Sequence, residues 1–135
     1  MSFDIEIAAR TVLMEASGEP DEGQRAVAWA ICNRHRTDKW YAGQTLAETC
    51  LLPFQFSSWN TEDRNRRRIA RMADDDPTLI KARGMIAEAM ANSSADPSNG
   101  ASHYYAKTLP LAPDWAKGKT PCAEIGAHLF FKDIL

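Results

Sequence analysis

The chain lacks any stretch that could cross a membrane, since no run approaches the roughly 18 consecutive apolar residues of a transmembrane helix. Its N-terminus carries Asp4 and Glu6 where a secretory signal would carry Lys or Arg, and no apolar segment follows them. We therefore expect synthesis in the cytoplasm without a signal peptide, and no stable membrane insertion. If the target lies outside the membrane, another factor must release the protein.

The chain also has few cysteines and a small net charge. The chain has three cysteines, an odd number without metal-like spacing, which favours three buried thiols over one disulfide. The net charge of −2 argues against a nucleic-acid-binding protein. The basic run 64–71 is followed at once by Asp74-Asp75-Asp76, which favours a solvated helix face. Contact with an anionic envelope polymer and a DNA-binding regulator are the alternatives for that run.

The motifs of several enzyme classes are missing. The sequence has no Gly-rich phosphate loop, no Ser-centred nucleophile elbow and no Cys–His nucleophile signature. His35, His103 and His128 do not have the spacing of a metal-binding cluster, so we predict no metal and no other cofactor. These absences favour metal-free acid catalysis.

The apolar residues that are present predict one compact domain over residues 1–135, and we expect a monomer. Apolar residues at helical spacing predict a mostly helical α+β fold. The predicted helices are Phe3–Ala16, Pro20–Arg36, a short helix from Thr45 to Pro53, Arg64–Met72, and one beginning at Asp76-Pro77 with an apolar stripe of Leu79, Ala82, Ile86, Ala89 and Met90.

The C-terminal part of the sequence has a different residue pattern from the helical part. Segments 102–106 and 128–131 are rich in aromatic residues typical of strands, and the prolines lie between them. We predict a small hairpin across which His103 and His128 could meet. Because neighbouring strand residues alternate between faces, Tyr104 and Tyr105 should point in opposite directions, one of them toward solvent or a cleft.

Two glutamates bracket the break between the first two helices. Glu15 falls on the last turn of the first helix, and Glu19 follows Gly18 and precedes Pro20. A carboxyl group held at a rigid, partly sheltered helix end can act as a general acid. The alternative from spacing alone is that Glu15 is a solvated helix residue and Glu19 an N-cap.

The loop Gln55-Phe56-Ser57-Ser58-Trp59 combines amide and hydroxyl groups with large aromatic rings. Such groups suit carbohydrate, because they supply hydrogen bonds to ring hydroxyls and flat faces for stacking. The alternative is that the aromatic residues only fix the loop to the core, and Trp59 and Trp115 are expected to be structural.

Four blocks of the sequence resemble the cell wall hydrolases related to spore cortex-lytic enzymes, in the order of that family. The blocks are Ala9-Arg10 with Glu15–Pro20, Glu22–Gln24, Ala26–Ala28 and Asn33-Arg34; then Gln55–Ser57 with Trp59; then Gly100-Ala101 with Tyr104-Tyr105 and Trp115; and last Ile125–His128 with Phe130-Phe131. They span about residues 8 to 131. One departure is Ser17, where the family usually has arginine.

The resemblance implies a lysozyme-like fold, related to goose-type lysozymes and lytic transglycosylases, that cleaves the bond between N-acetylmuramic acid and N-acetylglucosamine in peptidoglycan. It implies that Glu15 is the catalytic acid. We expect Glu19 to be an auxiliary carboxylate that serves the bend, by capping the second helix or holding the loop. The expected substrate-binding residues are Gln55, Phe56, Ser57, Tyr104, Tyr105 and His128. Without an export signal or wall-binding repeats, the chain is similar to a phage endolysin released through a holin pore.

Two reactions remain open for such an enzyme. A lytic transglycosylase would use Glu15 alone as acid and then base, whereas a hydrolase would use Glu19 as a second carboxylate. The rival function is a glycan- or envelope-binding module of the same fold that cuts nothing.

Overall fold

The computed structural model describes residues 2–52, 59 and 64–135, and its larger part is a set of helices. The helices are α1 (Phe3–Ala16), α2 (Asp21–Arg36), α3 (Leu46–Leu51), α4 (Arg64–Ala70) and α5 (Pro77–Ala91). Each predicted helix is present, although α4 ends at Ala70 rather than Met72. None of the described helices is long and apolar enough to cross a membrane.

Side-chain caps explain why several helices begin where they do. Ser2 Oγ accepts a hydrogen bond from the Ile5 backbone N–H at 3.1 Å, and Thr45 Oγ1 accepts one from Glu48 at 3.0 Å. Each oxygen satisfies a backbone donor that the first turn leaves without a partner. The cap at Thr45 also explains why the short helix predicted from Thr45 begins there.

Helix α2 occupies the centre of the molecule, and alanines make up much of its buried surface. Trp29 and Ile31 of α2 are buried with Leu13 of α1 in one continuous core. Buried α2 positions surround the helix because α1, α5 and the sheet all pack against it.

The apolar stripe of α5 faces this core, with one correction. Leu79, Ala82, Ile86 and Ala89 are buried as predicted, but Met90 is 44% exposed and Met85 is buried instead. Both methionines flank the stripe, and the helix is rotated so that the Met85 side faces inward.

The basic helix α4 is mostly solvated, as predicted. Within it only Ile69 is buried. Arg10 of α1 holds the end of α4, because one guanidinium nitrogen donates to Ile69 O at 2.6 Å and the other to Met72 O at 3.1 Å.

The C-terminal part forms a three-stranded antiparallel sheet in the order β1-β3-β2, with β1 (His103–Ala106), β2 (Ala123–Ile125) and β3 (His128–Phe131). The two predicted strand segments do pair, as β1 and β3. The hairpin, however, is formed by β2 and β3, not by β1 and β3. The two-residue connection Gly126-Ala127 makes this possible, because Gly126 adopts a positive φ of 56°.

The register separates the two histidines that the simple hairpin would have brought together. His103 pairs with Phe131, whereas His128 pairs with Ala106 at the other end of the two strands. The prediction that His103 and His128 could meet is therefore wrong.

The two faces of the sheet contact different parts of the molecule. Tyr104 and Phe130 pack against the helical core. Tyr105 and Phe131 belong to a second apolar cluster that contains Tyr41. This alternation, which strand geometry requires, decides which of the adjacent tyrosines reaches the helices.

Candidate active site

Glu15 lies half-buried on the last turn of α1, and its carboxylate meets a phenol from the sheet. The Tyr104 hydroxyl donates a hydrogen bond to Glu15 Oε1 at 2.6 Å. Helix α1 ends at Ala16, immediately after this residue, so the backbone that carries the carboxylate is fixed. The pair joins residues 89 positions apart in sequence.

The phenol keeps its proton because of its surroundings. Burial raises the pKa of Tyr104 well above its usual range, and the negative charge of Glu15 raises it further. A protonated phenol can only donate to the carboxylate oxygen in this arrangement. Tyr104 is therefore a permanent hydrogen-bond donor to Glu15 at neutral pH.

Arg34 of α2 is buried near Glu15 and Tyr104. Its Nε donates to Ser102 O at 2.7 Å, immediately before β1. Burial lowers the pKa of the guanidinium, while Tyr104 and Glu15 act in the opposite direction. The sequence prediction placed Arg34 only at the C-terminal end of its helix, and an arginine next to a buried alanine-rich segment was the signal that could have identified it.

Glu19 contacts the β2–β3 connection. Its Oε1 accepts a hydrogen bond from the Ala127 backbone N–H at 2.7 Å, and the His128 ring Nδ1 lies 3.2 Å from the same oxygen. A Cβ atom at Gly126 would lie too close to Glu19 Oε1, so a larger residue there would displace the carboxylate. The carboxylate thus joins the bend between α1 and α2 to the sheet.

The alternative that Glu19 caps α2 is wrong. The N-cap residue is Pro20, which makes no side-chain cap bond, and α2 begins at Asp21. Pro20 therefore precedes the helix instead of occupying its first turn. Because the carboxylate of Glu19 points to the sheet, the first turn relies on its own acidic residues, Asp21 and Glu22, to offset the positive helix end.

His128 connects the two glutamates. Its ring is nearly perpendicular to that of Tyr104, with centroids 5.3 Å apart. His128 is buried, in contact with Glu19 on one side and Tyr104 on the other. The structure therefore brings together Glu15, Glu19, Tyr104 and His128 of the predicted site residues.

The structure does not bring Tyr105 to this cluster. Its ring stacks on Phe131 at 5.5 Å with an interplanar angle of 13°, on the other face of the sheet. Trp115 packs nearby, with its ring 6.0 Å from that of Tyr105. The expected opposite orientation of the two tyrosines is confirmed, and Tyr104 is the one that faces Glu15.

Gln55, Phe56 and Ser57 lie outside the described residues. Trp59, from the same loop, is described: it packs against the helical core, and its indole N–H donates to Thr11 Oγ1 at 2.7 Å. This contact joins Trp59 to α1, the helix that carries Glu15.

All three cysteines are free thiols, with Cys32 and Cys50 buried and Cys122 half-buried. Burial raises the pKa of the Cys32 and Cys50 thiols to about 12, so both stay protonated. Within residues 2–52, 59 and 64–135, no three His, Cys, Asp or Glu side chains are placed to hold a metal ion.

Two solved structures share this fold. The crystal structure of the catalytic domain of the Bacillus cereus SleB protein has a TM-score of 0.71 and 25% sequence identity, covering 96% of this chain and 89% of that chain. The catalytic domain of the germination-specific lytic transglycosylase SleB from Bacillus anthracis also has a TM-score of 0.71 and 25% identity, covering 98% and 97%. The predicted lysozyme-like, mostly helical fold is thus confirmed.

The sequence comparisons point the same way. No curated protein matches the chain. Residues 18–131 match the family described as Cell Wall Hydrolase. Since that match spans most of the chain, the protein belongs to the cell wall hydrolase family, as the resemblance predicted.

Proposed function

We propose that this protein cleaves the glycosidic bond between N-acetylmuramic acid and N-acetylglucosamine in peptidoglycan, with Glu15 as the catalytic acid. The observation that carries the assignment of Glu15 is its 2.6 Å hydrogen bond from Tyr104 at a fixed helix end. The family match begins at residue 18, three positions after Glu15, so geometry supports this residue rather than the match itself.

No other residue in the described part of the chain hydrogen-bonds the second carboxyl oxygen of Glu15. Tyr104 holds Oε1, so the proton that reaches the glycosidic oxygen resides on the other oxygen of Glu15. Transfer of that proton lets the bond from C1 to the leaving oxygen break, and C1 acquires oxocarbenium character. A general acid placed in this way accelerates such a step by about 10²- to 10⁴-fold.

We infer that the reaction is completed as a lytic transglycosylase completes it. The 6-hydroxyl of the muramic acid attacks C1, and Glu15, now ionised, accepts its proton. A two-carboxylate hydrolase needs a second carboxylate about 5–5.5 Å or about 6.5–9.5 Å from the acid and free to react. Glu19 Oε1 instead accepts from the Ala127 backbone N–H and lies 3.2 Å from the His128 ring Nδ1, and its side chain is only 14% exposed. The Bacillus anthracis relative is itself described as a lytic transglycosylase.

The rest of the proposed site follows the sequence prediction. Gln55, Phe56 and Ser57 are proposed to bind the glycan strand. Residues 1–135 are proposed to form one catalytic domain, and this domain is proposed to act as a monomer. The role in phage-mediated lysis stays a prediction of the sequence.

The test is the Glu15→Gln variant with purified peptidoglycan. We expect at least about a hundredfold lower release of muropeptides, because glutamine has no proton to donate. The matched control is Glu22→Gln, since Glu22 is an exposed glutamate in the first turn of α2. Circular dichroism should show that both variants keep the native fold.

Mass spectrometry of the released muropeptides separates the two reactions. A 1,6-anhydro-muramic end indicates the transglycosylase, whereas a reducing end indicates a hydrolase. Full activity of Glu15→Gln would contradict the catalytic assignment. Binding to peptidoglycan without any released product would indicate the glycan-binding module instead.

A further inference from the structure

The two glutamates of the α1–α2 bend are connected through the sheet. Glu15 accepts from Tyr104, the Tyr104 ring contacts His128, and His128 contacts Glu19. The first contact joins α1 to β1, the second joins the neighbouring strands β1 and β3, and the third joins β3 to the bend between α1 and α2. We call the series from Glu19 through His128 and Tyr104 to Glu15 the bend–sheet contact series.

Glu19 is held tightly at its end of this series. Its backbone carbonyl accepts a hydrogen bond from the Gln24 side chain at 3.3 Å. Gly23 lies so close to Glu19 that a Cβ atom added at Gly23 would be 3.0 Å from the Glu19 Cβ. Its carboxylate accepts the Ala127 N–H at 2.7 Å. Backbone and side chain of Glu19 are therefore both fixed, and the β2–β3 connection is fixed with them.

His128 lies between Glu19 and Tyr104, and its ring contacts the Tyr104 ring. The side chains of His128 and Glu19 are only 10% and 14% exposed, so neither ring nor carboxylate moves freely. The His128 ring also lies 6.1 Å from that of Phe130, on the same face of the sheet. The edge of one ring against the face of the other restricts the rotation of Tyr104, and the direction of its hydroxyl depends on that rotation.

We propose that Glu19 is a positioning residue that acts through His128 and Tyr104 to orient the Glu15 carboxyl group. This inference rests on the proposed function of Glu15. It assigns Glu19 no proton transfer and no contact with the reacting atoms. Misplacement of a reacting group by about 1 Å costs about a hundredfold in rate, so a residue that reaches Glu15 through His128 and Tyr104 affects kcat.

The test compares Glu19→Gln and Glu19→Ala in steady-state peptidoglycan cleavage. Glutamine keeps an oxygen that can accept the Ala127 N–H, so we expect about a threefold to tenfold lower kcat. Alanine removes that acceptor, and we expect about a 30- to 100-fold lower kcat with KM changed by less than about threefold. The matched control is Glu124→Gln, because Glu124 lies on the same hairpin but is exposed and paired with Lys107.

A double-mutant cycle shows whether Glu19 acts through Tyr104. If it does, Glu19→Ala combined with Tyr104→Phe lowers kcat no further than Tyr104→Phe alone. If Glu19 only stabilises the fold, the two fold-losses multiply, and the proposal is overturned. Thermal unfolding of each variant shows which molecules are folded at the assay temperature. If Glu19→Ala does not fold, the same cycle with Glu19→Gln decides.

The outcomes separate this proposal from the proposed function. Unchanged kcat in Glu19→Ala, together with an inactive Glu15→Gln, overturns the positioning role alone. Equal losses of at least about a thousandfold in Glu19→Gln and Glu15→Gln identify a second reacting carboxylate and also overturn it. An active Glu15→Gln variant refutes the function on which the proposal rests.

Discussion

Acidification should unfold this protein partly through one buried histidine. His103 is 6% exposed on the sheet face opposite Glu15. Its ring lies 4.6 Å from that of Tyr41 and 5.0 Å from that of Trp115, and its Nδ1 is 2.8 Å from Ser102 Oγ. Burial lowers the pKa of His103 to about 3, and the positive charges of Arg34 and Lys39 act in the same direction.

The direction and size of the effect follow from this pKa. The unfolded chain binds a proton at His103 below about pH 6.5, whereas the folded protein does not until about pH 3. The histidine therefore contributes stability above pH 6.5 that is lost as the pH falls toward 3. At about 1.36 kcal/mol per pKa unit, about 2.5 kcal/mol is lost between about pH 7 and about pH 4.5.

Urea unfolding of the wild type and of His103→Phe, followed by circular dichroism at both pH values, isolates this contribution. Phenylalanine keeps an aromatic ring in the cluster and does not titrate. Because the carboxylates are the same in both proteins, their pH effects cancel, as does the fixed cost of the lost Ser102 contact. We expect the free energy of unfolding of the wild type to fall by about 2.5 kcal/mol more than that of the variant. Equal losses in the two proteins would refute the reasoning.

Two further predictions concern stability. Gly126→Ala should lower the free energy of unfolding by about 2–3 kcal/mol, because the new Cβ meets Glu19 in addition to the strain of positive φ. Gly118→Ala, also at positive φ but in open space, should lose only about 1 kcal/mol, and equal losses in chemical denaturation would contradict the role of the Glu19 contact. Arg10→Leu should lose about 3 kcal/mol in the same assay, because it removes a mostly buried guanidinium that donates to the carbonyls of Ile69 and Met72 and to the Glu6 carboxylate. Arg71→Leu, at an exposed position, should lose less than about 0.5 kcal/mol, and an equally small loss for Arg10→Leu would show that the buried contacts contribute little.

The helices could be predicted from the sequence because their signals are local. Helical spacing of apolar residues locates α1, α2 and α5, and the Thr45 cap locates the start of α3. Strand β2 could not be predicted in the same way. Ala123 and Glu124 are residue types that are depleted in strands, and Ile125 alone is too short a signal, so the segment forms a strand because it pairs with β3.

The candidate site was predictable only in part, because its contacts join distant segments. Glu15 and Tyr104 were both named from the sequence, but the hydrogen bond between them depends on packing of the sheet against α1. Arg34 was missed as a neighbour of the site, since the alanine-rich segment before it indicates burial but not its contact with the distant Ser102. The role of Glu15 as an acid came from the family resemblance rather than from spacing.

The alternation along β1 has a consequence for misfolding. If β1 slipped by one residue against β3, His103 or Tyr105 would face Glu15 in place of Tyr104, and Tyr104 would enter the cluster of Tyr41 and Phe131. The same error would thus remove the donor to the acid and break the apolar packing on both faces of the sheet. Chains with this error should be unstable as well as inactive, so proteolysis would remove them and leave a population in which nearly every folded molecule is active.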